Sequence, residues 1–540
     1  MRSHLALALL IAAVTARDAS PSKPKTGKGF WKPNGWSGHP HWPSPVPYSS
    51  SATSASTAGP TSTALPAVDS SALQSSITAE NLLAKAQDLE DIAYATPGRN
   101  RVMGSAGHNG TVAYLVESLG ALGDYYNVTV QPFIALYAEG EGTLTVDGVD
   151  QGAVYFEYSP GGNVTAPLVA VSNLGCNASD YPAEVEGNIA LISRGSCEFG
   201  LKSALAGAAG AAAAVIYNNV AGVVQGGTLG PPPRPEGDYV PTLQIALENG
   251  TAILDTLAAG TVVTGVMSVE ADIRNVSTAN VIAQTIGGNA SSTLVLGAHA
   301  DSVSAGPGIN DDGSGSVGLL EVAEQLTAYS TANAVRFCWW SGEEFGLLGS
   351  TYYVSQLSSA EVAAIPLYLN FDMIASPNPI YAIYDGDGSS FNISGPPGSA
   401  EAEAFFEDFF TANGLNFTST AFDGRSDYGP FLDVGIASGG LFTGAEEIKT
   451  EEEVLMFGGT AGIAYDVNYH QAGDNVTNLD LAAFEINTQA IAATVAEYGT
   501  SFASLPVANA TITGLRKRSQ QAWQEAPKPK QRRGQGRTRY

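Results

Sequence analysis

The sequence has little that would hold it in a membrane or in a reducing compartment. None of its apolar runs reaches the roughly 20 residues that a bilayer span needs. The nearest, LALALLIAAV, lies behind Arg2 and His4 and ahead of a small-residue step at Ala16. That is the layout of a cleaved secretory signal over residues 1–16, and a soluble, exported protein without a membrane anchor is expected, with secretion favoured over a vacuolar destination. Cysteine is scarce too, with three in 540 residues. Cys176 and Cys197 bracket one compact segment and Cys338 stands alone in an apolar run, which reads as one disulfide and one buried free thiol. Eleven Asn-x-Ser/Thr sequons, Asn109, Asn127, Asn163, Asn275, Asn392 and Asn475 among them, agree with export and glycosylation.

Positive charge is the next scarcity: 25 Lys and Arg face 52 Asp and Glu, a net charge of −27. Nine of the basic residues fall in residues 516–540 beside a single Glu, so the first 515 residues carry about −35. Such a body repels phosphate, which excludes a nucleic-acid partner, and it suits a cationic substrate amine or work at low pH. The basic stretch from 506 to 540 reads as a flexible, solvated tail, with a polyanion partner as the alternative.

At this length two folded domains with unstructured ends are expected. Residues 17–78 are rich in Pro, Ser, Thr and Gly and read as a disordered linker or pro-segment. Helical spacing begins with AENLLAKAQDLEDIAY at Ala79 and continues through TVAYLVESLGAL into an extended NVTVQPF. Residues 140–268 differ, with short β-rich runs between Gly, Pro and Asn and one Ala-rich helix near Leu201 to Gly210. Beyond them ANVIAQTI, STLVLGAH, NAVRFCWW and PLYLNFD each read as a strand followed by a turn and a helix. The reading is an α/β sheet covered by helices over 79–139 and 269–505, interrupted by an inserted β-rich domain.

Three strand ends carry chemistry. STLVLGAH leaves His299 and Asp301, NAVRFCWW leads into Glu343 and Glu344, and PLYLNF leads into Asp372. Catalytic groups of open α/β sheets gather beyond the carboxyl ends of strands, so these distant residues can converge. GINDDGSGS adds Asp311 and Asp312. Of six histidines, His4 lies in the signal and His39 and His41 in the linker, leaving His108, His299 and His470. His299 and His470 with Asp311, Glu344 and Asp372 form the nitrogen and oxygen set that suits zinc, and five ligands rich in carboxylate favour two ions over one. Two-metal hydrolases hold their ions about 3.5–4 Å apart and need a carboxylate that spans both, for which Asp311 is the candidate. Glu343, next to a ligand, suits the general base.

Each element has a plainer reading. HxD is often a turn, and paired Glu after a strand is often a solvated helix start. Gly313, Gly315 and Gly318 match GxGxxG, but the preceding aspartates would repel a pyrophosphate. YDGDGSS around Asp385 and Asp387 reads as a polar turn, calcium being the alternative. Cys338 reads as packing.

The joint order of HADSVSAGPGINDDGSG, WWSGEEFGLLGS, NFDMIASPNP and YHQAGD resembles the two-zinc peptidase family of bacterial and fungal leucine aminopeptidases, aminopeptidase Y and glutamate carboxypeptidases. The resemblance covers about residues 80 to 505. It implies a mixed central sheet flanked by helices and an enzyme acting on peptides with a free amino end, with an apolar first residue such as leucine; a monomer is expected. It also implies two Zn2+, one held by His299 and Asp372, the other by Glu344 and His470, with Asp311 between them and Glu343 as base. Asp301 would orient His299, Tyr469 would donate to the oxyanion, and Arg425 and Asp427 of DGRSDYGPF would shape the specificity pocket. The insertion resembles the protease-associated domain, including its Cys176 to Cys197 pairing. Two rivals remain: a carboxypeptidase or dipeptidase of the same fold, which the few basic residues oppose, and a receptor-like binding protein, which the filled ligand positions oppose.

Overall fold

The computed structural model describes residues 65–223 and 227–506. The expected signal, most of the expected linker and the basic tail lie outside the described residues. The last stretch of that linker is not unstructured. Asp69 caps the helix Ser70–Ser75 by accepting from the Ala72 amide at 2.8 Å, and Leu73 and Ile77 are buried in the main core. Val68 also bonds to the Ser330 carbonyl at 3.0 Å. Two apolar side chains at turn spacing were enough to bring this segment into the core, although its Ser-rich composition hid them.

The larger lobe is built on a mixed sheet. Its strands lie in the order Thr418–Thr420, Ala382–Tyr384, Ala437–Phe442, Leu367–Phe371, Asn289–His299, Asn333–Trp340, Thr264–Thr285 and Tyr126–Val146. The four from Ala437–Phe442 to Asn333–Trp340 run parallel, and the strand flanking them on each side, Ala382–Tyr384 or Thr264–Thr285, is antiparallel to them. Side chains alternate between faces, as the period of two requires. Leu294, Leu296 and Ala298 pack under the helices Ala79–Tyr94, Gly313–Leu326 and Leu481–Thr500. Val295 joins Cys338, Trp340, Tyr368 and Phe431 on the opposite face. The sheet is thus covered on both sides, and Cys338 is a buried free thiol within one of the two layers. Two expectations fail here: Leu367–Phe371 is followed by the short strand Ala382–Tyr384 before the helix Ser399–Ala412, and the strand containing ANVIAQTI leads through Gly287 and Gly288 directly into the next strand with no helix between. It is antiparallel to its neighbours, so no crossover helix is required.

The inserted lobe holds the parallel strands Gly162–Ala170, Ile189–Ser193, Ala213–Tyr217 and Thr242–Ile245, with helices Phe199–Ala208 and Leu247–Ala258. Cys176 and Cys197 are disulfide-bonded within it, their Cα atoms 5.9 Å apart. The cuts expected at 139/140 and 268/269 fall inside continuous strands. Tyr126–Val146 and Thr264–Thr285 form one antiparallel ribbon, paired from Tyr126 opposite Thr285 to Val146 opposite Gly265, and pass through both lobes. Among the described residues no helix is long and apolar enough to cross a membrane.

Candidate metal centre

His299 ends its strand and Glu343 and Asp372 stand just past theirs, on adjacent parallel strands whose carboxyl ends open onto a shared crevice. His299 Nε2 lies 3.1 Å from Asp311 Oδ1, 3.6 Å from Asp372 Oδ1 and 3.9 Å from Glu343 Oε2. Across the crevice His470 Nε2 lies 3.2 Å from Asp311 Oδ2 and 3.0 Å from Glu344 Oε2. Asp311 therefore offers one oxygen to each imidazole. Two groups able to hold a cation result: His299, Asp312 and Asp372, and Asp311, Glu344 and His470, the ligand atoms of each within 4.8 Å of one another.

Asp312 belongs to the first group by distance, but its oxygens are already committed. Oδ1 accepts from the Gly315 and Met373 amides and Oδ2 from the His299 amide. It caps the helix Gly313–Leu326 and ties that helix to two ligand-bearing segments. The glycines of the GxGxxG match serve packing: a Cβ on Gly315 would lie 1.9 Å from the Phe371 carbonyl oxygen, so the helix start can approach the Asp372 strand only without one.

The donors that remain suit zinc. Two imidazoles and three carboxylates provide nitrogen and hard oxygen, and no cysteine belongs to either group. Asp311 Oδ2 and Glu344 Oε1 are buried oxygens without a hydrogen bond, a state that is costly unless a cation or proton meets them. Electrostatics agree. Burial opposes the charged form of His470, but Glu344 and Asp311 outweigh it and push its pKa up to about 11. Burial likewise works against protonated His299, yet Asp372 and Glu343 hold it well above its ordinary value. Burial would raise Asp311, but the two histidines hold it below the usual carboxylate range. Glu343 is raised well above it by burial, with His299 countering.

Around these groups lies a supporting layer. Asp301 has no exposed surface, sits 3.7 Å from His299 Nδ1 and accepts from the Glu343 amide at 3.2 Å. The Ser426 hydroxyl donates to Asp372. Asp474, of the same YHQAGD run as His470, accepts from the Asn310 amide at 2.8 Å and the Asp311 amide at 3.0 Å. Burial and Asp466 push the Asp474 pKa up to about 8. Asp427 accepts from the Ser350 hydroxyl, and burial raises its pKa to about 7. Arg101 is wholly buried and donates to the carbonyls of Ala300, Pro307 and Gly308, pinning the loop that joins His299 to Asp311. At the rim Tyr469 stacks on His470 with ring centroids 3.9 Å apart, and Arg425 donates to its hydroxyl at 3.3 Å. Arg425 also pairs with Glu446 and Glu447 at 3.2 and 3.4 Å. His108 is buried in the helix Ala106–Gly120 and belongs to neither ligand group.

Sequence reasoning missed Arg101 and gave Ser426 and Asp474 no role, though both lie in runs that drew notice. Arg101 carries no local pattern that separates it from any arginine in a turn.

Residues 280–495 match the family model "Peptidase family M28", and residues 164–253 match "PA domain". A probable leucine aminopeptidase 2 of Aspergillus fumigatus is 52% identical over 447 residues, covering 83% of this chain and 89% of that protein. Leucine aminopeptidase 2 of Arthroderma otae is 48% identical over 442 residues, covering 82% and 88%. Among solved structures, an aminopeptidase from Aneurinibacillus sp. strain AM-1 has a TM-score of 0.65 at 27% identity, covering 79% of this chain and 95% of that one. A zinc aminopeptidase from Bacillus subtilis has a TM-score of 0.57 at 26% identity, covering 78% and 95%. The chain belongs to peptidase family M28, as a zinc-dependent aminopeptidase that carries a PA domain.

Proposed function

We propose that the chain is a secreted aminopeptidase that holds two zinc ions and removes single, preferably apolar residues such as leucine from the free amino end of peptides. One observation carries the reading: Asp311 presents its two oxygens to two different imidazoles, His299 and His470. His299 and Asp372 would hold one ion, Glu344 and His470 the other, with Asp311 shared. Bound zinc supplies Lewis acidity, polarising a carbonyl and lowering the pKa of water to about 7.

The rest falls to the chain's own residues. Glu343, buried and held near His299, accepts the proton of the attacking water at a carboxylate oxygen and returns it to the leaving amine. Asp301, 3.7 Å from His299 Nδ1, would orient the His299 ring. Tyr469 receives a hydrogen bond from Arg425 and keeps its own proton to donate to the oxygen that gains charge in the transition state. Arg425 is already paired with two carboxylates at the rim, which opposes recognition of a substrate carboxylate and favours a substrate ammonium. The apolar N-terminal stretch, the sequons and the disulfide support secretion.

The test is a leucine amide reporter and its amino-acetylated twin, each assayed before chelation, after chelation and after zinc is returned, with zinc counted per chain. Cleavage of the free amine alone, lost on chelation and restored with two zinc ions, is the expected result. Equal cleavage of the acetylated twin overturns the aminopeptidase reading, and full activity with one zinc overturns the two-ion reading.

A further inference from the structure

One acidic cluster plays no part in this chemistry. Where the strand Ala382–Tyr384 ends, Asp385 and Asp387 meet Glu403 of the helix Ser399–Ala412, one carboxylate oxygen of each within 4.8 Å of the others. Asp385 has no exposed surface. Its Oδ2 accepts from the Ser390 amide at 3.0 Å and the Phe391 amide at 2.7 Å, while its Oδ1 is buried without any hydrogen bond. Glu403 is 5% exposed and accepts from the Asp387 amide at 3.0 Å. Asp387 is exposed, with Oδ1 accepting from the Ser389 amide at 2.7 Å. Among the described residues no Lys or Arg forms an ion pair with any of the three.

A buried carboxylate oxygen with no donor is costly, and two further carboxylates beside it raise the cost, so a positive charge is missing from this inventory. We propose that Asp385, Asp387 and Glu403 form a binding site for a hard divalent cation of the calcium class, separate from the zinc centre. The donors are all oxygen, with neither imidazole nor thiolate, which selects calcium over zinc. The exposed Asp387 side leaves room for the waters that complete six to eight ligands. Burial raises the pKa of both Asp385 and Glu403, the latter to about 7, so a shared proton is the competitor that calcium must displace.

The site reaches the zinc centre through packing. The Asp385 amide donates to the Thr420 carbonyl at 2.8 Å, and Tyr384 packs on Phe422 and Tyr428, ring centroids 5.2 and 4.7 Å away. The loop between those two rings carries Ser426, the donor to Asp372. A cation at Asp385 would therefore brace the loop that supports a zinc ligand, without touching substrate.

The experiment titrates calcium chloride into the zinc-loaded full chain at about pH 7.5 by calorimetry, with the thermal midpoint followed in parallel. Wild type is compared with D387N, an exposed substitution that leaves the core intact, and with E403Q. The expected result is saturable uptake that raises the thermal midpoint, with affinity weakened about tenfold or more in D387N and in E403Q. No uptake by the wild type, or uptake of equal affinity in folded D387N, overturns the proposal. The first result would leave the shared proton in place, and the second would put the bound calcium elsewhere on the acidic surface.

Discussion

Replacing Glu343 by Gln keeps the side chain's size and removes its capacity to take a proton. The proposed zinc ligands are untouched, so E343Q should retain its metal while kcat falls by about 10²–10⁴-fold and KM changes little. Initial rates together with metal analysis check this, and loss of zinc from E343Q would mean that Glu343 is a ligand. A second residue-scale outcome concerns protons. With its pKa pushed up to about 11, His470 is protonated at neutral pH when no metal is bound, so zinc loading must release protons, and apparent zinc affinity must fall as pH falls. Calorimetry at about pH 7 in two buffers of different ionisation enthalpy reads the release directly. The same raised pKa stabilises the zinc-free protein below the ordinary histidine value of about 6.5, and that contribution is lost as pH climbs through the folded value. Which residues converge on the crevice was legible because HxD, DDGSG, EE and FD each keep their own local pattern. Arg101 and Ser426 were not, since their importance lies in contacts across about two hundred and about fifty positions that no local spacing records.

The helix Gly313–Leu326 shows how an element sets the site. Asp312 at its cap bonds the backbone of His299 and Met373, so the helix start, the end of one ligand strand and the turn after another form a single hydrogen-bonded joint. Gly315 is the contact point. G315A would force a Cβ to 1.9 Å from the Phe371 carbonyl oxygen, whereas the nearest atoms to a Cβ on Gly318 are 3.1 Å away. G315A should therefore destabilise by about 1–3 kcal/mol and weaken zinc retention, with G318A milder on both counts. Urea midpoints and metal analysis of the two variants decide, and equal effects would contradict this role for Gly315. Strands and helices with clear period were legible. The antiparallel setting of ANVIAQTI was not, because strand direction is decided by neighbours that arrive later in the sequence. The short Ser70–Ser75 helix escaped notice because its anchor is one leucine in a polar run.

At the scale of the molecule, the chain leading into the PA lobe, just ahead of residues 164–253, touches the zinc centre's surroundings directly. The Tyr158 hydroxyl lies 3.3 Å from the Phe345 carbonyl, one residue past Glu344, and Tyr137 packs on the Phe345 ring. The disulfide lies elsewhere in that lobe and closes a loop over a separation of 21 residues. Replacing Cys176 and Cys197 together by Ser should cost about 2–4 kcal/mol of stability while leaving kcat/KM on a small reporter near the wild-type value. A large loss of activity in the folded double variant would show that the disulfide shapes the active centre.

The paired ribbon from Tyr126–Val146 to Thr264–Thr285 also constrains how the chain is made. As the polypeptide emerges from the ribosome, the first of these strands waits for its partner until the whole PA lobe has been translated. During that interval it is a long, unpaired edge, open to association with other nascent chains. Early closure of the compact PA lobe, drawing the ends of the ribbon together, would shorten this exposure.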